Sequence, residues 1–299
     1  MNRIFPIHFS IPEEKIVKEI PKKKKILAFV IPGERNTYIF QNERDYYQDY
    51  QESMFAITMK KCGWDCLRHY EILANGCIPY FKQINDIPKN TMIHFPKEMI
   101  QKSNLFYERI QYKKIDEVSE EEWSEYNQYV NYYLIHMKEH LTTLSISKYI
   151  LEKIEKKNIG KILFLSQNME PDYLRCLTLH GFKSIFHQDV HDYPKINHLY
   201  KISNYPYHLL YGKGITYSNL LNNSYHDDEK DMNIRKDIKN HEYDIIIYGS
   251  YHRGLPYWEM VNQYYKKDEI ILLCGEDEHD CDSIHYALKG YTLFIRELN

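Results

Sequence analysis

Cationic and acidic side chains follow a predicted strand in the first third of the chain. Lys60 and Lys61 come directly after the strand, and Arg68 and Glu71 lie three residues apart in a predicted helix over 66–75. Residues at this spacing project from one side of a helix. The N-terminus of such a helix suits a phosphate, because free N–H groups and the positive end of the helix dipole point there. The cations would hold a diphosphate and the carboxylate a ribose, so the pattern predicts binding of a nucleoside diphosphate.

The local sequence also predicts how this helix begins and ends. Gly63 marks a turn after the strand, and Asp65 is expected to be the N-cap of the helix. Gly76 is expected to supply the left-handed residue that ends it. The turn from Trp64 to Cys66 would then present its backbone N–H groups to the diphosphate.

The same segment resembles a known family. Arg68-x-x-Glu71, followed by Ala-Asn-Gly-Cys-Ile-Pro over 74–79, resembles the donor-sugar motif of exostosin-like glycosyltransferases of the GT-B fold. The resemblance covers a short part of the chain and implies that Arg68 binds the donor phosphates and Glu71 the ribose. The alternative is a surface ion pair between these two residues on an ordinary helix. The side chains assigned to the donor site are Lys60, Lys61, Trp64, Asp65, Arg68, His69, Glu71 and Arg253.

Three loops that follow predicted strands in the second half carry candidates for a general base. Ligands of open α/β sheets bind beyond the carboxyl ends of the strands, so these loops are expected to face a ligand. An inverting glycosyltransferase needs a base to deprotonate the acceptor hydroxyl, and histidine or a carboxylate can serve. The candidates, in order of preference, are His252, Asp277, Glu276 and Asp172. Arg253 would help to neutralise the leaving diphosphate, and the alternative for each residue is a capping or loop-stabilising role.

Strand and helix patterns alternate along most of the chain, which predicts parallel βαβ units. The predicted strands cover residues 25–30, 54–58, 77–81, 162–165, 183–186, 244–248, 269–274 and 291–296. The predicted helices cover residues 43–52, 66–75, 96–111, 172–180 and 257–265, and a long helical region starts at Ser119. Gly181 is expected to end the helix over 172–180. The stretch 217–241 is interpreted as a polar excursion, in which His226-Asp-Asp-Glu-Lys-Asp231 is a solvated acidic loop.

The predicted fold is α/β, with two Rossmann-like domains facing a cleft in a GT-B-like arrangement. Residues 1–118 would form the donor-binding domain, 119–158 a helical linker, and 159–299 the second domain with the acceptor and the base. GT-B enzymes normally place the acceptor domain first. The reversed order here predicts a circular permutation, with the two chain termini close together at the domain junction.

Composition excludes several classes of protein. The 299 residues carry 39 basic and 42 acidic side chains, and this balance argues against nucleic acid as a partner. Apolar runs are of strand length and too short to span a bilayer, and no signal peptide is evident at the start. A soluble, cytoplasmic protein is therefore expected.

Metal ions and disulfides are not expected. The six cysteines lack the paired spacing of a structural zinc site and are predicted to be reduced thiols. Asp280-Cys-Asp282 fits the Asp-x-Asp pattern that binds a divalent metal and a sugar diphosphate. Arginine and lysine would make such a metal unnecessary, so no metal ligand and no cofactor are predicted.

The sequence predicts a glycosyltransferase that moves a sugar from a nucleotide-sugar donor to a hydroxyl of a glycan or related acceptor. The alternative is a non-catalytic nucleotide- or sugar-binding module on the same scaffold. A dehydrogenase or epimerase is disfavoured, because Ile31-Pro-Gly-Glu-Arg stands where those enzymes have Gly-x-Gly-x-x-Gly after the first strand.

Overall fold

The computed structural model describes residues 3–154, 156–277 and 281–299. The strands are β1 (Ile4–Pro6), β2 (Lys25–Leu27), β3 (Ser53–Thr58), β4 (Ile78–Phe81), β5 (Ile162–Leu165), β6 (Val190–Tyr193), β7 (Ile245–Tyr248), β8 (Ile270–Cys274) and β9 (Thr292–Ile295). They form a six-stranded sheet in the order β1-β9-β8-β7-β5-β6 and a three-stranded sheet in the order β2-β3-β4. Every strand pair in both sheets is parallel, which confirms the predicted α/β fold.

Helices connect these strands. They are α1 (Glu43–Gln51), α2 (Leu67–Ala74), α3 (Lys97–Ile110), α4 (Glu120–His136), α5 (Thr143–Lys153), α6 (Tyr173–Phe186), α7 (Asp228–Lys239), α8 (Trp258–Tyr264) and α9 (Ser283–Leu288). The predicted helical region is confirmed as α4 and α5, joined by a π-helical turn. Ser119 and Glu122 form a capping box at the start of α4. The Tyr126 hydroxyl of α4 donates to the carbonyl oxygen of Gly76, which links α4 to the end of α2.

The strand order of the six-stranded sheet reverses between β5 and β7. From β5 the chain adds β6 on one side, and β7, β8 and β9 then follow on the other side. The carboxyl ends of β5 and β7 therefore flank a topological switch point, where ligands of open α/β sheets bind. β5, β7 and β8 are fully buried apolar strands, as expected for a parallel sheet covered on both faces.

The first strand belongs to the sheet of the second half. Phe5 of β1 pairs with Phe294 of β9, and their rings lie 5.5 Å apart. Residues 4–6 thus extend the six-stranded sheet, although the predicted first domain begins at residue 1. This short apolar segment gains a parallel hydrogen-bonding partner and ring packing at the edge of that sheet.

The structure confirms a helix that starts after Asp172, but the strand predicted over 183–186 is wrong. α6 continues through Gly181 to Phe186, and the next strand is β6 at 190–193. A Cβ atom on Gly181 would lie 2.1 Å from the carbonyl oxygen of Thr143 and 2.3 Å from Oγ of Ser147. Gly181 therefore permits close contact between α5 and α6 and does not end a helix.

This contact predicts a stability effect. Gly181→Ala should lower the free energy of unfolding by about 1–3 kcal/mol, because the added methyl group overpacks the α5–α6 contact. The gain in helix propensity of about 1 kcal/mol would offset only part of this loss. Urea denaturation followed by circular dichroism measures the change. Gly160→Ala is the matched control, since its Cβ would meet its nearest neighbour at 3.5 Å. Equal stability of the two variants would contradict the packing role of Gly181.

Candidate functional site

Asp172 joins the loops at the switch point. It is the N-cap of α6, and its Oδ1 accepts a hydrogen bond from the backbone N–H of Arg175 at 3.0 Å. Its Oδ2 accepts a 2.7 Å bond from Oγ of Ser250 and lies 3.3 Å from Nε of Arg253. Burial by itself would raise the pKa of Asp172, but Arg175 and these other partners hold it below its usual range. The carboxylate is therefore ionised and fixed between the segments that follow β5 and β7.

His252 and Glu276 extend this cluster. Nε2 of His252 lies 3.0 Å from Oε1 of Glu276, which follows β8. Burial lowers the pKa of His252, although Asp172 and Glu276 act in the opposite direction. The imidazole is therefore neutral near pH 7 and able to accept a proton. We call Asp172, Ser250, His252, Arg253 and Glu276 the switch-point cluster.

Three buried polar atoms around the switch point have no hydrogen-bond partner among the residues that the structure describes. They are Oγ of Ser166, Nε of Arg175 and Nδ1 of His252. Ser166 directly follows β5, and the Arg175 guanidinium donates a 2.8 Å bond to the carbonyl oxygen of Asn168 in the same loop. Leaving a buried polar atom unpaired costs about 1–3 kcal/mol. Such a concentration at one sheet edge is typical of a site that a polar ligand or water completes.

The predicted diphosphate turn is already occupied by a side chain of the protein. The backbone N–H groups of Trp64 and Asp65 donate to the carboxylate of Glu297, at 3.1 and 2.9 Å. A Cβ atom on Gly63 would lie 2.4 Å from Oε1 of Glu297, so any larger residue here would displace this carboxylate. The prediction that these N–H groups are available to a diphosphate is wrong, because Glu297, two residues beyond β9, supplies an internal carboxylate.

Asp65 and His69 have structural partners. Asp65 is not the N-cap, since α2 is capped by Cys66 without a side-chain bond. Its carboxylate accepts bonds from the backbone N–H of Phe9 and the hydroxyl of Tyr70, and burial raises its pKa to about 7. The ring nitrogens of His69 lie 2.8 Å from Oγ1 of Thr58 and 2.9 Å from the carbonyl oxygen of Trp64. Both side chains hold the turn in place.

Asp277 lies between the turn and the C-terminal segment. Its Oδ1 pairs with the Arg296 guanidinium, which also contacts the carbonyl oxygen of Asp65 and the carboxylate of Glu297. The same Oδ1 lies 3.0 Å from the Cβ position of Gly63. The segments after β8 and β9 therefore meet the turn after β3, so the carboxyl ends of strands from both sheets are in contact here.

Glu71 and Arg68 do not form the ion pair that was the alternative interpretation. The buried Glu71 carboxylate accepts a 2.9 Å bond from the Tyr46 hydroxyl and a 2.5 Å bond from Oγ1 of Thr216. Burial raises the pKa of Glu71. Among the described residues, no carboxylate oxygen lies within ion-pair distance of the Arg68 guanidinium. That group lies 5.5 Å from the Tyr38 ring centre, and its buried Nε has no hydrogen-bond partner in the described part of the chain.

Lys60 and Lys61 are exposed beside Arg68. The Lys60 ammonium lies 4.9 Å from the ring centre of Trp64. Partial burial would raise the pKa of Tyr38, but Arg68 and Lys61 lower it overall, so both cations lie near its phenol. We call Lys60, Lys61 and Arg68 the basic cluster. It has three cationic side chains with no paired carboxylate in the part of the chain that the structure describes.

Tyr173 connects the basic cluster with the switch point. It follows Asp172 in the chain, and its ring packs 5.8 Å from the Phe9 ring. Burial raises the pKa of Tyr173, Glu71 raises it further, and Arg68 lowers it. The ring of Tyr173 also lies 4.8 Å from the ring of Tyr217, and the neighbouring Thr216 donates to Glu71, so Glu71 is close to the first residue of α6. The structure brings the predicted donor helix and the predicted base loops to neighbouring positions.

The burial of His69 predicts a dependence of stability on pH. Burial lowers its pKa from 6.5 to about 3, so the folded protein keeps it neutral where the unfolded chain is protonated. Its contribution to stability is complete above pH 6.5 and is lost as the pH falls towards 3, by about 1.4 kcal/mol per pH unit. Wild type should lose more stability between pH 7 and pH 4 than His69→Gln in urea denaturation. His208→Gln, at an exposed position, should behave as wild type. If the free energy of unfolding fell equally with pH in all three proteins, the result would contradict the effect of His69 burial.

Several partners of the site were not predicted from the sequence. Ser166 directly follows β5, and Ser250 and Glu297 lie two residues beyond β7 and β9. The rule that ligands bind beyond the carboxyl ends of parallel strands selected His252, and it also selects these three residues. Arg175 follows the Asp172 N-cap by three residues, which is a weaker signal.

Cys274 and Cys281 form a disulfide, and their Cα atoms lie 6.7 Å apart. The prediction of reduced thiols is therefore wrong for this pair. Asp280 of the Asp-x-Asp pattern lies outside the described residues.

Comparison with protein-family models, with curated proteins and with solved structures gave no match to this chain. In the described part of the chain, the structure contains no helix that is both long and apolar enough to cross a membrane.

Proposed function

We propose that this protein is a glycosyltransferase that moves a sugar from a nucleotide-sugar donor to a hydroxyl of a glycan or related acceptor. The observation that carries the proposal is the switch-point cluster. A neutral histidine, two carboxylates, a serine and an arginine from three loops meet at the carboxyl edge of a parallel sheet. The turn at Gly63, which leads into the helix of Arg68, contacts Asp277 in the segment after β8 that also carries Glu276. In this proposal the two sheet units close around the donor as in GT-B enzymes.

The donor diphosphate would bind to side chains of the basic cluster. Glu297 already accepts the N–H groups of Trp64 and Asp65, so they are not assigned this role. Arg68 offers N–H donors in a planar fork that suits the oxygens of a phosphate group, and its Nε has no partner among the described side chains and backbone. Lys60 and Lys61 add charge at the exposed side. These cations would neutralise the diphosphate without involving the backbone of the turn.

The ribose would bind Glu71 in exchange for Thr216. The Thr216 hydroxyl donates to the Glu71 carboxylate, a bond that a ribose hydroxyl can replace in kind. Thr216 has φ of 73°, a conformation that costs energy for a β-branched residue. Because movement of Thr216 would relieve this strain, its hydroxyl is easier to displace from Glu71 than the Tyr46 hydroxyl. Donor binding would therefore move the segment around Thr216 away from α2.

His252 would act as the general base. A tautomer that donates Nε2–H to Glu276 leaves the lone pair on Nδ1, for which the described residues supply no partner. Nδ1 would take the acceptor hydroxyl proton while the acceptor oxygen bonds to the anomeric carbon. The bond between that carbon and the donor phosphate oxygen breaks, and the electron pair leaves with the diphosphate. Asp172 and Glu276 would stabilise the imidazolium, and Arg253 the leaving group.

Melting temperature with a panel of nucleotides tests the binding step. UDP, GDP, CMP and their sugar conjugates are added separately, and one nucleotide class should raise the melting temperature of wild type. A saturating ligand at 100 times its Kd stabilises by about 2.7 kcal/mol. Glu71→Gln should reduce this shift. No shift with any member of the panel would contradict the proposal, and a shift without sugar transfer to any acceptor would favour the binding-module alternative.

A further inference from the structure

We propose that His191, His226 and Asp231 form a binding site for a divalent transition-metal ion of the Zn²⁺ class. The site lies at β6, the edge strand of the six-stranded sheet, and at the start of α7. One ligand atom from each of the three side chains lies within 4.8 Å of the other two. The proposal is independent of the proposed transferase activity, because none of these residues belongs to the switch-point cluster or the basic cluster.

The distances suit a small cation with nitrogen and oxygen ligands. Nε2 of His191 lies 2.9 Å from Oδ1 of Asp231, and Nε2 of His226 lies 3.3 Å from Oδ2 of the same carboxylate. A tetrahedral Zn²⁺ with bonds of about 2.0–2.1 Å places its ligand atoms about 3.4 Å apart. The three side chains therefore need only small movements to bind a common ion. Imidazole and carboxylate together favour Zn²⁺ and its neighbours over Ca²⁺ or Mg²⁺.

Two of the candidate ligand atoms are buried and have no hydrogen-bond partner within residues 3–154, 156–277 and 281–299. They are Nε2 of His191 and Oδ1 of Asp231. The His191 side chain is only 2% exposed, so its free nitrogen is not compensated by bulk water. The two atoms are close enough for a hydrogen bond, but their geometry does not allow one. A shared cation would satisfy both atoms at once.

The surroundings of His226 orient its ring as a metal ligand. Nδ1 of His226 lies 3.1 Å from Oδ1 of the buried Asp192, which also accepts a 2.5 Å bond from the Tyr200 hydroxyl. A histidine that donates Nδ1–H to a carboxylate presents the lone pair of Nε2, as metal-bound histidines do. Nζ of Lys183 lies 3.0 Å from the same Oδ1 atom and balances the charge of this carboxylate. The Asp192 carboxylate thus fixes the tautomer that the site requires.

A fourth ligand is available from the same segment. Oδ1 of Asp228 lies 3.5 Å from Nε2 of His226, and this side chain is 83% exposed and able to turn. The ion would thereby join the edge strand β6 to the first turns of α7. The sequence did not predict the site, because His191 lies on the strand that was placed wrongly and Asp231 lies on the helix that was interpreted as a solvated loop.

Metal titration of the chelator-treated full-length protein tests the proposal. Calorimetry with Zn²⁺ should give one tight site per chain, and bound Co²⁺ should show the intense visible absorption of a four-coordinate ion. Loss of a partner outside the coordination shell costs 10–100-fold in affinity, so loss of a ligand should cost at least about 100-fold. His191→Ala and Asp231→Asn should each show this loss, and the exposed His208→Ala should bind as wild type.

The test includes Asp231→Asn as a variant that is expected to keep the fold, so that loss of binding is not confused with unfolding. Asp231→Asn retains the size and polarity of a side chain that is 31% exposed, and circular dichroism checks that it is folded without metal. No binding of Zn²⁺ or Co²⁺ by the folded wild-type protein would overturn the site. Unchanged binding by folded Asp231→Asn would do so as well. Neither result bears on nucleotide binding, which the melting-temperature panel measures separately.

Discussion

His252→Asn is expected to reduce kcat for sugar transfer by about 100- to 10,000-fold, the contribution of a well-placed general base. Asparagine keeps a polar group near Glu276 but has no lone pair that accepts a proton near pH 7. The donor contacts assigned to the basic cluster are untouched, so nucleotide affinity should not change. The measurement is the initial rate of nucleoside diphosphate release with saturating donor and acceptor, together with nucleotide Kd by calorimetry.

The exposed His208 supplies the control for this experiment. His208→Asn makes the same chemical change at a position outside the switch-point cluster and should keep the wild-type rate. A rate for His252→Asn that matches this control would contradict the assignment of His252 as the base. A Glu276→Gln variant should show a smaller loss, because it weakens the orientation of the imidazole and leaves its proton-accepting nitrogen in place.

Arg68→Ala is expected to weaken binding of the nucleoside diphosphate by about 10- to 100-fold. A hydrogen bond to a charged group contributes about 1.5–3 kcal/mol, which corresponds to this range. Arg68→Lys should lose a smaller factor, since lysine keeps the charge but lacks the planar fork. Calorimetric titration with the nucleotide that stabilises wild type measures all three affinities.

Arg109 offers a matched comparison for Arg68. It lies on α3, its side chain is 57% exposed, and it pairs with Glu125. Arg109→Ala removes the same guanidinium from a surface helix and should bind nucleotide as wild type does. If Arg68→Ala and Arg109→Ala had the same affinity, the donor helix would not be the phosphate site.

Much of the fold could be predicted from sequence because buried parallel strands are short apolar runs. Ile162–Leu165 and Ile270–Cys274 are of this kind, and their burial leaves little ambiguity. The failures have local causes. Gly181 was interpreted as a helix end because glycine commonly occupies that position, whereas contact with α5 requires it in mid-helix. α7 was missed because polar residues dominate it, although Ile234 and Ile238 are buried.

The candidate site was predicted in part. Loops after parallel strands share one edge of the sheet, and this rule brought Asp172, His252 and Glu276 together correctly. The environment of the turn at Trp64 was not predictable in the same way. Its N–H groups bind Glu297, more than two hundred residues away in sequence, and only the tertiary structure brings them together.

The crystal structure of the protein with a bound nucleoside diphosphate tests the central claim most directly. We expect the diphosphate within hydrogen-bonding distance of the Arg68 guanidinium, with the ribose at Glu71 and the leaving oxygen towards His252. Thr216 should no longer donate to Glu71. A nucleotide bound elsewhere, with the Thr216–Glu71 bond intact and the switch-point cluster empty of ligand, would contradict the proposed transferase site.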